Sequence, residues 1–187
     1  MRKLKMHLHI SLDGYASDAE GGFAWITYND TIAAKAKELT GAADAVVFGP
    51  KTYKGMQSYW PTVPQDPAAT PGELSHAAWL ARSTKIVVST NLPEVDADWD
   101  KSLLLRDPAE LARLKAEPGG DIVSFGSPVL VRSCLERGLV DELHLFLNPL
   151  LLGGGQPVFG PGQNTKLRLL EALPLPDGVV ALTYAPA

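Results

Sequence analysis

The sequence predicts an α/β fold built on a mostly parallel sheet and finished by antiparallel strands. Three observations predict it. Up to about residue 138, strand-like segments alternate with capped helical stripes. Two of those strand segments run directly into a glycine and a helix start. The remaining residues read as strands joined by loops.

The elements follow in order. Residues 4–10 alternate, with Leu4, Met6, Leu8 and Ile10 on one face and Lys5, His7 and His9 on the other. That period of two is a strand. Ser11-Leu12-Asp13-Gly14 breaks it, and Gly21-Gly22 marks a loose loop. Asn29-Asp30-Thr31 caps a helix whose stripe is Ile32, Ala36 and Leu39, ending at Gly41. Residues 44–49 read as a buried strand ending on glycine, and a short helix follows from Lys51 towards Trp60. Pro61, Pro64 and Pro67 make a loop. Thr70-Pro71-Gly72-Glu73 is a capping box for a helix ending near Ser83. Residues 85–89 and 102–105 are strands. Asp107-Pro108-Ala109-Glu110 is a second capping box, and Pro118-Gly119-Gly120 ends its helix. Residues 121–126 form a strand running into glycine. Ser127-Pro128 caps a helix that carries Leu130, Val131, Cys134 and Leu135 and stops at Gly138. The last strands fall near 141–147, 166–172 and 178–184. No linker interrupts the 187 residues, so one domain is expected.

Composition excludes several classes. Apolar residues make up 45% and charged residues 20%, a globular rather than disordered profile. The net charge is −4 with no basic block, so no nucleic-acid partner is expected. No apolar run reaches the ~20 residues that span a bilayer. The N-terminus lacks the continuous apolar stretch of a signal peptide. The lone Cys134 cannot form an internal disulfide, which fits a reducing compartment. A cytoplasmic location is expected.

The two glycine-ended turns, Val47-Phe48-Gly49-Pro50-Lys51-Thr52 and Ser124-Phe125-Gly126-Ser127-Pro128-Val129, are where chemistry can sit. Amide groups at helix N-termini attract phosphate, and ligands of open α/β sheets gather at the carboxyl ends of strands. Two such turns suit a ligand with two phosphates, such as a dinucleotide. The plainer reading is that strand-to-helix turns need glycine anyway. Neither a G-x-G-x-x-G fingerprint nor a Walker A loop is present. His7 and His9 share a strand face, but zinc needs three or four ligands and no cluster stands nearby in sequence, so no metal is expected. Cys134 lies on an apolar stripe and reads as core. Asp30 is a helix cap or a proton-donating acid. Asp13 is a turn residue or a substrate contact, and with Asp30 a candidate catalytic carboxylate. Trp25, Tyr53 and Trp60 are core aromatics, or the lining of a flat pocket for an aromatic ring.

Read together, the motifs resemble a known family. Ser11-Leu12-Asp13-Gly14, Trp25-Ile26-Thr27, residues 44–52, and the segment from Gly138-Leu139-Val140-Asp141-Glu142-Leu143 through Pro149 to Gly153-Gly154-Gly155 are similar to the reductase domain of bacterial bifunctional riboflavin deaminase–reductases. That resemblance implies a dihydrofolate reductase-like three-layer sandwich and NADPH as cofactor. It implies that Trp25 and Thr27 border the nicotinamide and that Gly49, Lys51 and Thr52 receive phosphate. Ser89 and Thr90 would lie by the adenosine, and Gly126, Ser127, Val129 and Leu130 by the pyrophosphate. Comparison with dihydrofolate reductase puts Asp30 at the proton donor's place, five residues after Trp25. Substrate contacts fall to Asp13, Trp25, Tyr53, Met56 and Trp60, and a homodimer is implied.

The sequence also departs from the family. The Asp-Asp-Pro segment and nearby Arg that hold the substrate's ribose phosphate are replaced here by residues 53–60, which contain no arginine. Ser124 stands where the family carries Glu. Pro50 replaces a common Arg, which leaves NADH open. The deaminase zinc motif is not in the sequence, so only the reduction is implied. The expected activity is therefore NADPH-dependent reduction of a small heterocycle. One alternative is a cofactor-binding protein without turnover. Another is a riboflavin-pathway reductase with a rewired phosphate site.

Overall fold

A computed structural model describes residues 1–95 and 99–187. The first strand, β1 (Leu4–Ser11), is followed by a short strand β2 (Tyr15–Ser17) and helix α1 (Asp30–Gly41). Next come β3 (Ala43–Phe48), α2 (Pro50–Tyr59), α3 (Pro71–Arg82), β4 (Thr84–Val88) and β5 (Ser102–Leu105). Then follow α4 (Leu111–Ala116), β6 (Asp121–Phe125), α5 (Pro128–Glu136) and β7 (Glu142–Asn148). The chain ends with β8 (Gln156–Pro157), β9 (Leu167–Pro174) and β10 (Val180–Pro186).

Eight of these strands form one sheet in the order β5-β4-β3-β6-β1-β7-β10-β9. The six on the β5-to-β7 side are mutually parallel, and β10 turns antiparallel against β7 and β9. This is the expected α/β sheet with antiparallel C-terminal strands. Strand order then decides which residues meet. In β1, His7 lies opposite Phe125 of β6 on one side and His144 of β7 on the other.

The pleat divides the core into two layers of packing. On one face Leu4, Met6, Leu8 and Ile10 meet Leu111 of α4 and Leu130, Val131, Cys134 and Leu135 of α5. On the other, Val46, Phe48, Val87 and Val123 meet Leu39 of α1, Tyr53 of α2, and Trp79 and Leu80 of α3. Burying each large apolar side chain stabilises the fold by roughly 1.5–3 kcal/mol. Helices on both faces of a parallel sheet explain why successive residues of β3, β4 and β6 are buried whichever face they point to.

Three local readings need correction. Asn29, not Asp30, caps α1, because its side chain accepts from the Ile32 N–H at 3.0 Å; Asp30 is the first helical residue. Ser127 does not cap α5 with its side chain: it sits in the left-handed region at φ 60° and its hydroxyl is used elsewhere. The strands β2 and β8 were not expected, since two or three residues are too short to show a period. They pair with each other and fold the loop after β7 back over the loop after β1. Both capping boxes form, at Thr70–Glu73 and Asp107–Glu110.

Candidate functional site

A cleft of about 1170 Å³ opens on the sheet face that carries α1, α2 and α3. Its floor comes from β1 and β6. Its walls come from α1 and α3, and one end reaches the first turns of α2 and α5. Phe23, Tyr28 and Val129 line it while each remaining more than half exposed. Large apolar side chains left in water around a cleft favour a bound ligand that covers them.

The two glycine-ended turns meet at this end. The Gly49 N–H donates to the Ser127 hydroxyl at 3.0 Å, which ties the β3–α2 turn to the β6–α5 turn. Gly126 adopts φ +79°, which glycine takes without the Cβ clash other residues meet. Both helices begin with proline and neither has a side-chain cap. Their first-turn amides therefore remain open to an anion, with the positive ends of two helix dipoles beside them. Gly49, Lys51, Thr52, Gly126, Ser127, Val129 and Leu130 all line the cleft here.

The other half is walled by rings. His7 and His9 come from β1, Phe125 from β6, His76 from α3, and Trp60 follows α2. Trp60 donates its Nε1 proton to Met56 Sδ at 2.9 Å, which brings Met56 to the same wall. Burial pushes His9 and His76 down to about 4. Burial also holds His7 well below the ordinary histidine range, and neighbouring imidazoles add to the shift. All three rings are neutral at physiological pH. Behind His7 lies a smaller cavity of about 150 Å³, bordered by Lys35, His144 and Thr183. Among the described residues no group of three or more His, Cys, Asp or Glu side chains could hold a metal ion.

Asp30 also lines the cleft, exposed on the first turn of α1. Asp13 does not. Its carboxylate accepts from the Ser11 hydroxyl at 2.6 Å, the Leu152 N–H at 3.1 Å and the Gly153 N–H at 2.7 Å. The Ser11 bond, followed by those two amides, holds it below the usual carboxylate range. It clamps the loop after β7 to the loop after β1, so the substrate-contact and catalytic reading of Asp13 is corrected to a structural one. Tyr53 is corrected likewise: it is buried in the core against Trp99, with its hydroxyl donating to Ser102 Oγ at 3.2 Å.

Trp25 and Thr27 stand beside the cleft without lining it. Trp25 donates its Nε1 proton to the Gly22 carbonyl at 3.2 Å, and the Thr27 N–H donates to Asn148 Oδ1 at 3.0 Å. Asn148, at the end of β7, is fully buried and anchors this segment; nothing local in the sequence marked it. Ser89 and Thr90 lie at the carboxyl end of β4, outside the lining, and the Ser89 hydroxyl accepts from the Asn91 and Leu92 amides. Ser124 is fully buried beside Met6, away from the cleft. Burial raises the Cys134 thiol to about 12, consistent with a core residue rather than a nucleophile. The sequence reading missed His7, His9, His76 and Phe125 as lining residues. The only signal was the alternation in β1, which places both histidines on one face.

Comparison with known proteins agrees with this geometry. Residues 2–181 match the RibD C-terminal domain, so the chain belongs to that family. The uncharacterized protein YyaP of Bacillus subtilis is 27% identical over 98% of this chain and 94% of its own length. Two solved structures share the fold. One is a diaminohydroxyphosphoribosylaminopyrimidine deaminase/5-amino-6-(5-phosphoribosylamino)uracil reductase from Thermotoga maritima. It is 16% identical with a TM-score of 0.69, over all of this chain and 57% of that one. The other is dihydrofolate reductase from Enterococcus faecalis, complexed with NADP(H). It is 14% identical with a TM-score of 0.64, over 98% of this chain and 96% of that one. The dihydrofolate reductase-like α/β architecture is thereby established.

Proposed function

We propose that this member of the RibD C-terminal domain family is a nicotinamide-dependent reductase of a small heterocycle, with NADPH as the reductant. The observation that carries this is the joining of two uncapped helix N-termini in one cleft through the Gly49–Ser127 bond. The amides of Lys51, Thr52, Val129 and Leu130 would hold the pyrophosphate, with the exposed Lys51 ammonium supplying charge. Gly49 and Gly126 let the phosphates approach the backbone. Ser89 and Thr90, at the end of β4, would border the adenosine, and the Trp25–Thr27 segment the nicotinamide. NADPH, when bound, supplies the hydride. The protein's part is to align two flat rings, exclude water and manage one proton. Asp30 and Glu73 both line the cleft; Glu73 is engaged by the Thr70 capping box and the Tyr59 hydroxyl, so Asp30 is our candidate for that proton. The structural relationship to the Thermotoga reductase and to an NADP(H)-bound dihydrofolate reductase supports the reading.

Titrating the purified chain with NADPH while following Trp fluorescence tests it. Saturable quenching is expected, and none at millimolar cofactor would refute it. NADH in a parallel titration sets the preference between the two.

We also propose a homodimer formed through β9. This edge strand exposes Leu169, Leu170 and Leu173, and an uncovered apolar edge invites pairing. Light scattering at micromolar concentration should give twice the chain's 20.0 kDa. A monomeric mass would contradict it.

A further inference from the structure

The smaller cavity behind His7 serves no part of the proposed reaction. At about 150 Å³ it falls well short of the ~300–1,000 Å³ of substrate and cofactor pockets, so it suits a ligand of a few heavy atoms. Its floor is one row across the sheet. Strand register sets His7 of β1 beside His144 of β7, His144 beside Thr183 of β10, and Thr183 beside Glu171 of β9. Directly opposed residues share a face, and α1 covers this one with Lys35, Glu38 and Leu39. Among the described residues His7 alone lines both this cavity and the cleft.

The hydrogen bonds of the row fix what it can accept. Glu142 is paired with Lys3 at 2.7 Å and stands as an acceptor. His144 Nε2 therefore carries the ring proton and donates to Glu142 Oε2 at 2.9 Å. Burial holds His144 below the ordinary histidine range, so the ring is neutral at pH 7 and its Nδ1 is an acceptor. The Thr183 hydroxyl donates to that Nδ1 at 3.2 Å. Its one proton is thereby committed, and Thr183 Oγ1, on a residue only 8% exposed, keeps its lone pairs for a donor in the cavity. At the mouth, Lys35 Nζ lies 3.0 Å from Glu38 and 2.9 Å from Glu171. The described lining thus sets two carboxylates against one ammonium, with both histidines neutral. Phe146, Ala181 and Leu182 supply an apolar side.

We propose that this cavity is a binding site for a small primary amine in its alkylammonium form. The ammonium donates to Thr183 Oγ1 and to the Glu171 carboxylate beside it, and offsets the unmatched negative charge. The short alkyl group lies against Phe146, Ala181 and Leu182. Lys35 is the internal precedent, an alkylammonium already held by the same two carboxylates. An anion brought here loses its water and meets a negative lining. An alcohol finds the Thr183 acceptor but leaves the excess charge unmatched. The inference does not rest on the reductase reading.

Titrating the full chain with ethylammonium chloride at pH 7 tests it, with sodium chloride holding the ionic strength constant and ethanol as the uncharged probe of similar size. Nitrogen-15 spectra of histidine-labelled protein read the His144 ring. Ethylammonium should shift it saturably at millimolar concentration, and ethanol should bind about tenfold more weakly. Thr183→Val, which keeps the shape and removes the acceptor, should weaken ethylammonium about fivefold, and Thr183→Ser should recover most of that loss. Glu171→Gln should weaken it about tenfold. Lys35→Gln, which releases both carboxylates, should tighten it. Shifts that grow without saturating, ethanol binding as tightly, or indifference to both Thr183→Val and Glu171→Gln would each overturn the proposal and leave a cavity that holds water only. If Thr183→Val fails to fold, Glu171→Gln at the half-exposed mouth and the ethanol ratio still decide it.

Discussion

The two ends of the cleft are built in different ways. The end at Gly49 and Gly126 is made of backbone: two strand-to-helix turns, open amides and one hydroxyl bridge. The ring-walled end is made of side chains drawn from β1, β6, α3 and the residue after α2. Backbone sites announce themselves in sequence, because glycine and proline mark the turns that make them. Side-chain walls do not, because their members are neighbours only after the sheet has set its strand order. The first kind suits an invariant group such as pyrophosphate. The second can change its ligand by single substitutions, and here its imidazoles are held neutral by burial.

Acid should break the ring-walled end first. His9 and His76 lie at about 4 in the folded protein against about 6.5 unfolded, so the unfolded chain binds more protons between those values. Their contribution is complete above pH 6.5 and is lost as pH falls through 4. The loss is on the order of 3 kcal/mol per ring. Urea melts from pH 7 down to pH 4 should show it, and replacing both histidines with Leu should reduce the dependence, leaving the part that comes from His7.

The frame shared by both ends is the next target. Gly155 holds φ +124°, and a Cβ there would collide with the Ser17 carbonyl of β2. Gly155→Ala should cost about 3 kcal/mol, read from thermal melts, and should loosen the β2–β8 ribbon that lines the cleft. Asp30→Asn probes the proton path. Asn29 retains the helix cap, so stability should barely move. Turnover should fall about 100-fold if Asp30 delivers the proton. An unchanged kcat would remove Asp30 from the proton path, leaving Glu73 or solvent. The smallest effect is expected at the backbone-built end. Lys51→Gln should raise the NADPH Kd about tenfold, since the amides remain. A larger loss would make that end depend on side chains after all.

Most of the fold could be read from local patterns. The capping boxes at Thr70 and Asp107, the stripe of α5 and the alternation of β1 each lie within a dozen residues, so each is visible without a partner. The ends of β9 and β10 were less so. The turn at Pro176–Gly178 separates them, with Asp177 and Gly178 both at positive φ, and a pattern of apolar residues does not locate such a turn. Of the candidate site residues, Gly49, Lys51, Thr52, Gly126, Ser127, Val129 and Leu130 converge on the cleft, with Asp30, Met56 and Trp60. Asp13 and Tyr53 resist local reading because a carboxylate in a turn and a tyrosine on a helix look the same whether they face a ligand, a loop amide or the core.

By itself the sequence determined the order of strands and helices and the two glycine turns, since period, caps and backbone freedom are properties of neighbouring residues. Only the tertiary structure decided that the Ser127 hydroxyl bridges to Gly49, that Asn148 holds Thr27, and that residues 7, 9, 60, 76 and 125 share one wall. Those contacts follow from β3, β6, β1 and β7 lying side by side, with α2 and α3 packed on one face. Hydrogen bonding across the sheet fixes that adjacency, and no spacing along the chain records it.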